Sequence, residues 1–243
     1  MTVSRTVRAV LAALLATTLI DCSDINSDPA VPVVVEVRVP VGPGGGAPQV
    51  EIDDTITLAA RALNQQGDSI AASFVWRTPD TALVALDSTA GRLSGRQPGT
   101  ARIQVRTGSL VSGFVNFSVV PHADSLLIVP PDTFRIALAD TASAPLIAEL
   151  DTLNPDGPLA NRQLVYELLL PVFGVAGDTA TLSGGGLIRT VVTSTTGQPA
   201  TPVYVRAVPG QPRPDSVLVE VRAVRPSGGP IPGSGQRFTV RFD

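Results

Sequence analysis

Lysine is absent from this 243-residue chain, and all 18 of its basic residues are arginine. The chain therefore cannot form a lysine Schiff base, and it cannot build the phosphate-binding loop that depends on a lysine. The arginines are spread along the sequence and the net charge is −3, which is not the pattern of a nucleic-acid-binding surface. We expect no nucleic-acid partner.

Histidine and cysteine occur once each, as His122 and Cys22. A zinc site made of protein side chains needs several such ligands, and an internal disulfide needs two cysteines, so the sequence excludes both. Calcium binds carboxylates instead, but no acidic cluster is spaced like a known calcium loop. We therefore expect no metal and no cofactor, and we interpret the candidate aspartates as solvated turn residues: Asp53, Asp54, Asp68 and Asp87.

Candidate catalytic residues are equally few. His122 is the one base available to a Ser-His-Asp arrangement, and it lies in the segment VVPHADS between two predicted domains. We interpret it as a surface or interface residue. Glycoside hydrolysis would need two acids in one cleft, whereas Glu36 alternates with Arg38, and Glu220 with Arg222, on outward strand faces. The sequence predicts no catalytic residue and no enzyme.

Aromatic residues make up only 4% of the chain, although 44% of its residues are apolar, and there are 22 glycines and 22 prolines. Short β-branched runs between Gly and Pro clusters are typical of strands. The GGG runs at 44–46 and 184–186 are followed by no lysine and open no helical pattern, so they are predicted loops. We expect an all-β fold.

The first 22 residues carry the pattern of an export signal. Arg5 and Arg8 precede an apolar run over 9–20, which is too short for a bilayer span of about 20 residues. We predict a signal peptide over 1–22 and a polar tether over 23–32.

The end of this segment, Leu19-Ile20-Asp21-Cys22, resembles the bacterial lipobox, in which the cysteine becomes the lipidated first residue of the mature chain. The resemblance implies lipidation of Cys22 and a lipid anchor in the membrane. Ser23 then implies the outer membrane or the cell surface. Asp21 departs from the Gly, Ala or Ser usual before that cysteine. The alternative is an ordinary signal peptide, and the protein would then be periplasmic or secreted.

One stretch of the chain is nearly repeated. LNQQGDSIAASFVWR at 63–77 is similar to LNPDGPLANRQLVYE at 153–167, and in each copy a glycine precedes a large aromatic residue by nine positions. The aromatic residues are Trp76 and Tyr166. Tandem copies of one strand plan are therefore predicted.

Later segments extend the repeat. IQVR at 103–106 is echoed by VYVR at 203–206, and NFSVV at 116–120 by LVEVRAV at 218–224. The larger spacing places an insertion of roughly ten residues in the second copy, at 181–202.

The first copy resembles a group 2 bacterial immunoglobulin-like domain, the type found in intimin. The matching residues are Trp76, TPD at 78–80, ALVAL at 82–86, GRLSG at 91–95 and GTARI at 99–103. The resemblance implies an antiparallel sandwich of seven or so strands without a disulfide, which serves as a spacer or adhesive module and has no catalytic residues. Trp76 is then a core anchor rather than a sugar-stacking platform.

The second copy resembles an immunoglobulin-like domain only loosely, because it lacks the ALVAL and GTARI segments. We predict two tandem immunoglobulin-like antiparallel β-sandwiches, over 33–121 and 122–225, after the signal segment. A Pro/Gly linker and a terminal strand follow at 226–243. That strand could dock on a sandwich, join a partner or open a further domain, and we favour docking or a partner contact.

The expected function is that of a non-enzymatic, envelope-anchored spacer or adhesion module with an unknown protein or glycan partner. The alternative is a carbohydrate-binding or accessory module of an envelope enzyme system. A buried Trp76 favours the first hypothesis, and an exposed Trp76 beside acidic residues favours the second.

Overall fold

The computed structural model describes residues 28–39, 42, 45–153, 156–169 and 179–243. The predicted signal peptide with Cys22, part of the tether and Gly44 of the first GGG run lie outside these residues. The regular elements of the described part are 21 strands. No helix among the described residues has the length and hydropathy needed to cross a membrane.

The first half of the chain contains eleven strands. They are β1 (Val34–Arg38), β2 (Gln49–Glu51), β3 (Thr55–Thr57), β4 (Ala59–Leu63), β5 (Ser69–Ile70), β6 (Val75–Arg77), β7 (Val84–Leu86), β8 (Arg92–Gly95), β9 (Gly99–Thr107), β10 (Leu110–Val111) and β11 (Val115–Val120).

The second half contains ten strands. They are β12 (Ser125–Ile128), β13 (Thr133–Ile136), β14 (Ala148–Leu153), β15 (Asp156–Pro158), β16 (Gln163–Leu169), β17 (Ala180–Leu182), β18 (Ile188–Val192), β19 (Val205–Ala207), β20 (Ser216–Arg222) and β21 (Gln236–Phe242).

The first domain is an immunoglobulin-like sandwich. In one layer β4 pairs with β1, and β8 lies between β3 and β7; only Leu58 separates β3 from β4, so the two act as one long strand. The other layer has the order β10-β9-β11-β2. β6 also pairs with β9, outside this order. β2 runs parallel to β11 and the other pairings are antiparallel. This arrangement of two layers matches the immunoglobulin plan.

Its core lies between the two layers. On β9 the buried residues Ala101, Ile103 and Val105 alternate with arginine and glutamine, which confirms the alternation predicted for this strand. Trp76 on β6 is only 4% exposed and belongs to the same cluster, so its predicted role as a core anchor is confirmed.

A glycine from the predicted GRLSG motif fits against this tryptophan. Gly91 has a φ of +65°, and a Cβ atom placed on it would lie 2.6 Å from Trp76 Nε1. Gly67 has a φ of +84° but nothing within 4 Å of the same added atom. The two glycines therefore share a left-handed backbone and differ in the space around them.

We expect Gly67→Ala to lower the free energy of unfolding by about 1 kcal/mol through the backbone alone. Gly91→Ala should cost a further ~1–3 kcal/mol, because the new methyl group must displace the indole. Urea unfolding followed by the fluorescence of Trp76 would measure both. Equal losses would contradict the close packing at Gly91.

The second domain repeats the plan with a larger sheet. One layer has the order β13-β21-β20-β16-β18, with β13 parallel to β21. The other contains β12-β14-β15 and the pair β17-β19, and a bridge from Ala142 to Arg206 joins the chain before β14 to β19. A separate buried cluster fills the space between these layers, and Tyr166 is its largest fully buried side chain. All-β architecture with two tandem sandwiches is thus the observed fold.

The first part of the predicted repeat corresponds to equivalent strands in the two domains. β4-β5 and β14-β15 are equivalent antiparallel hairpins, and the first strand of each ends in a leucine, Leu63 or Leu153. Trp76 on β6 and Tyr166 on β16 then lie on equivalent strands, which pair with β9 and β20 respectively.

The later equivalences are wrong by one strand. VYVR at 203–206 lies in and beside β19, which pairs with β17, whereas IQVR at 103–106 lies in β9 of the other layer. The counterpart of β9 is β20, and that of β11 is β21. Short V-x-V runs recur in any half-buried strand, so they do not identify a particular one. The insertion predicted at 181–202 contains β18, an added edge strand beside β16.

The C-terminal strand is part of the second domain. β21 lies between β13 and β20, and Phe238 and Val240 on its inner face are fully buried. The second domain therefore runs to Phe242 rather than ending at 225, and the segment predicted as a separate linker contains the turn from β20 to β21. The reason is geometric: β20 and β13 need a strand between them, and β21 presents an apolar face at the right period.

Candidate functional site

The junction between the two domains contains a buried cluster of charged residues. Glu51 comes from β2 of the first domain, Arg162 precedes β16, and Arg225 lies in the turn after β20. The Glu51 side chain is 0% exposed, that of Arg162 is 5% exposed and that of Arg225 is 23% exposed. Charges at this depth are stable only when they are paired.

Hydrogen bonds in this cluster cross from one domain to the other. Arg162 Nη2 donates to Glu51 Oε1 and also to the carbonyl of Pro121, at 3.0 Å. Within the second domain Arg225 Nη2 donates to the carbonyl of Ala123 at 3.1 Å, and across the junction its Nε lies 3.5 Å from Glu51 Oε2. Two guanidinium groups of the second domain thus share one carboxylate of the first.

Burial affects the guanidinium of Arg162 most. Desolvation lowers the pKa of Arg162, and the charge of Arg225 acts in the same direction, whereas Glu51 opposes both. Arginine nevertheless stays protonated in proteins, so the cost of burying its charge is offset mainly by Glu51. The carboxylate is therefore the element that allows the two domains to meet here.

His122 lies at the edge of this cluster. Its Nδ1 is 3.1 Å from Asp124 Oδ1, and its Nε2 is 3.9 Å from Glu51 Oε2. The backbone N–H of Leu153 donates to Asp124 at 2.7 Å, and this bond, followed by that from His122, holds the pKa of Asp124 below its usual value. Of the two predicted positions, surface or interface, the structure shows the interface, because His122 lies beside acids from both domains.

A cavity of about 500 Å³ lies beside the cluster. Leu58 and Phe117 of the first domain contribute apolar surface to it, and Arg162 and Arg225 line it from the second. Arg38, at the end of β1, is the third charged residue in its lining. Among the described residues, the charged lining of this cavity is therefore entirely arginine.

The aspartates considered as calcium ligands form no site. Within the described ranges, no group of three or more His, Cys, Asp or Glu residues is arranged to hold a metal ion. Asp87 instead accepts the backbone N–H groups of Thr89 and Ala90, each at 2.8 Å, and this bonding holds the pKa of Asp87 below its usual value. It is a turn-stabilising residue.

Sequence reasoning did not find the junction cluster. Its three members are 111 and 63 positions apart along the chain, and no motif joins them. The one available signal was Glu51 itself, a charged residue between the apolar residues Val50 and Ile52. A charge in such a place needs a partner, although the sequence does not name it.

No protein-family model and no curated protein matches the chain. Among solved structures it is similar to the adhesin InvE of Yersinia pseudotuberculosis, with 17% identity over 81% of this chain and a TM-score of 0.38. The chain spans 56% of the length of that adhesin. It is also similar to fibronectin(III)-like modules of CbhA from Clostridium thermocellum, with 14% identity, 86% and 93% coverage of the two chains and a TM-score of 0.39.

Domains 5-6 of the S-layer protein SbsC are a third similar structure, with 14% identity, 87% and 98% coverage of the two chains and a TM-score of 0.32. These TM-scores are all below 0.5, so the fold assignment depends on strand pairing and not on the similarities. The resemblance of the first domain to group 2 immunoglobulin-like domains stays a prediction.

Proposed function

We propose that the chain is a non-enzymatic spacer or interaction module of the bacterial envelope, held to the membrane by lipid chains on Cys22. Its work would be to hold a contact surface away from the membrane. A protein or glycan at the envelope would be the partner.

The observation that carries this proposal is the linear path of the chain through two domains joined by buried bonds. Pro29 lies beside the turn after β4, at the end of the first domain opposite Arg38 and the junction. In the second domain β21 begins near the junction and runs parallel to β13, so Asp243 lies at the far end. The two ends of the described chain are therefore separated by both sandwiches, as a spacer requires.

The buried position of Trp76 also supports this proposal over a carbohydrate-binding module. Its indole ring packs in the core of the first domain, so it offers no flat exposed face to a sugar. Trp76, on which the carbohydrate-binding alternative depended most, is therefore a core residue.

The test of the anchor is the intact mass of the mature protein, measured for the wild type and for Cys22→Ser after expression in a bacterial host. We expect added acyl mass on a wild-type chain that begins at Cys22. This chain should stay in the membrane fraction, because each buried CH₂ group contributes about 0.8 kcal/mol to membrane binding. Cys22→Ser should lack this mass and leave the membrane fraction. An unmodified wild type in the soluble fraction would overturn the lipid anchor.

The spacer role has its own test, independent of the anchor. Small-angle scattering of the full chain should show one extended arrangement of the two domains, and Glu51→Gln should broaden the distribution of distances. A wild type whose domains already vary widely in arrangement would contradict a spacer whose length is fixed.

A further inference from the structure

We propose that the junction cavity binds a small ligand through a carboxylate or phosphate group, with Arg38, Arg162 and Arg225 as its cationic contacts. This inference concerns a binding site and goes beyond the spacer role. It holds whether or not Cys22 carries lipid.

The charges around the cavity favour an anion. Three guanidinium groups line it, and no carboxylate is among its lining residues in the described part of the chain, although Glu51 and Asp54 lie nearby. Arg38 in particular makes no ion pair within the described part of the chain, and its side chain is exposed at the end of β1.

An unsatisfied donor points to the same kind of ligand. The side chain of Arg162 is only 5% exposed, and its Nε–H group is buried without an acceptor among the described residues. The Nε of Arg225 is buried without a hydrogen bond as well. Buried donors are nearly always satisfied in folded proteins, so each such group needs an explanation. An oxyanion in the cavity would give the guanidinium groups that line it a further acceptor, and charged acceptors make the stronger bonds.

The size and the remaining lining restrict the ligand further. A volume of about 500 Å³ is within the range typical of small-molecule sites. Leu58 and Ile231 supply apolar surface, and Gln49, Gln163 and Ser227 supply amide and hydroxyl groups. This combination fits a hydroxylated ring with one apolar face and one acidic group, such as an acidic sugar.

Isothermal titration calorimetry on the full chain tests the proposal with three probes of similar size: glucuronate, glucose 6-phosphate and glucose. We expect at least one acidic probe to bind and glucose not to bind. Arg38→Gln should weaken that binding roughly tenfold or more, because a hydrogen bond to a charged group is lost. Arg241→Gln, an exposed arginine on β21, is the matched control and should bind like the wild type.

The two acidic probes separate the possible sources of the anion, since binding of glucuronate alone assigns a carboxylate and binding of glucose 6-phosphate alone a phosphate. Ser227→Asp, at an exposed position of the lining, should abolish binding of either by charge repulsion, and it provides a second variant if Arg38→Gln unfolds. Failure of both acids to bind at millimolar concentration would overturn the proposal. Equal binding of glucose, or binding unchanged in both variants, would do the same.

Discussion

Phe238→Ala is expected to lower the free energy of unfolding of the second domain by about 3–5 kcal/mol, which is the usual cost of removing a fully buried phenylalanine ring. Phe238 is 0% exposed, and its ring centroid lies 6.1 Å from that of Phe134 and 6.3 Å from that of Tyr166. The truncation would leave a cavity in the core of the second domain, against the inner face of the five-stranded sheet. A loss of that size is a large part of the roughly 5–15 kcal/mol by which folded domains are typically stable.

Two spectroscopic readouts can show which domain unfolds. The single tryptophan, Trp76, belongs to the first domain, so its fluorescence follows that domain, whereas far-UV circular dichroism follows both. In Phe238→Ala we expect the circular dichroism to show an earlier transition in urea, while most of the tryptophan change stays near its wild-type position.

Phe114→Ala is the matched control, because Phe114 is 55% exposed and its loss should cost about 0.5 kcal/mol or little more. A Phe238→Ala protein as stable as Phe114→Ala would mean that β21 is not part of the second core. Loss of both transitions together would mean that the first domain cannot stand without the second.

Glu51→Gln is expected to lower the free energy of unfolding by about 3–5 kcal/mol, because it leaves the buried guanidinium of Arg162 and the partly buried one of Arg225 without their carboxylate. The change keeps the size of the side chain and removes only the charge. Since each domain has its own core, we expect the loss to appear as a separation of the two unfolding transitions in calorimetry.

Removing the unpaired charge should restore much of this stability. Arg162→Met keeps an apolar stem of similar length, and together with Glu51→Gln it should recover a large part of the loss. Glu36→Gln is the control: Glu36 also pairs with an arginine, at 2.8 Å, but its side chain is 40% exposed. Such pairs contribute about 0–1 kcal/mol. Similar losses for Glu36→Gln and Glu51→Gln would contradict a special role for the junction.

Local pattern was enough to predict the strands but not their neighbours. The alternation in β9 and the aromatic residue after each Leu-Asn turn are local signals, and both predictions were correct. The predicted equivalence of VYVR at 203–206 with IQVR at 103–106 was wrong, because period-two alternation is shared by every strand that buries one face. Which strand lies beside which is determined by long-range packing.

The junction was beyond sequence reasoning for a related reason. Glu51, Arg162 and Arg225 meet only after two separate sandwiches have formed and docked. Their partners are therefore fixed by the orientation of one domain against the other. The same holds for the cavity, whose lining comes from β1, from the segments around β3 and from the turn after β20.

The parallel pairing of β13 with β21 has a mechanical consequence. The chain enters the second domain just before β12 and leaves it after β21, so a pull between the two ends acts along β13 and β21 in opposite directions. The four residue pairs from Thr133–Thr239 to Ile136–Phe242 are then loaded in shear, and their hydrogen bonds must yield together rather than one after another. The first domain has the same geometry in the three pairs that join β2 to β11. Tension along the chain therefore loads both parallel strand pairs in shear, the direction in which they resist separation most strongly.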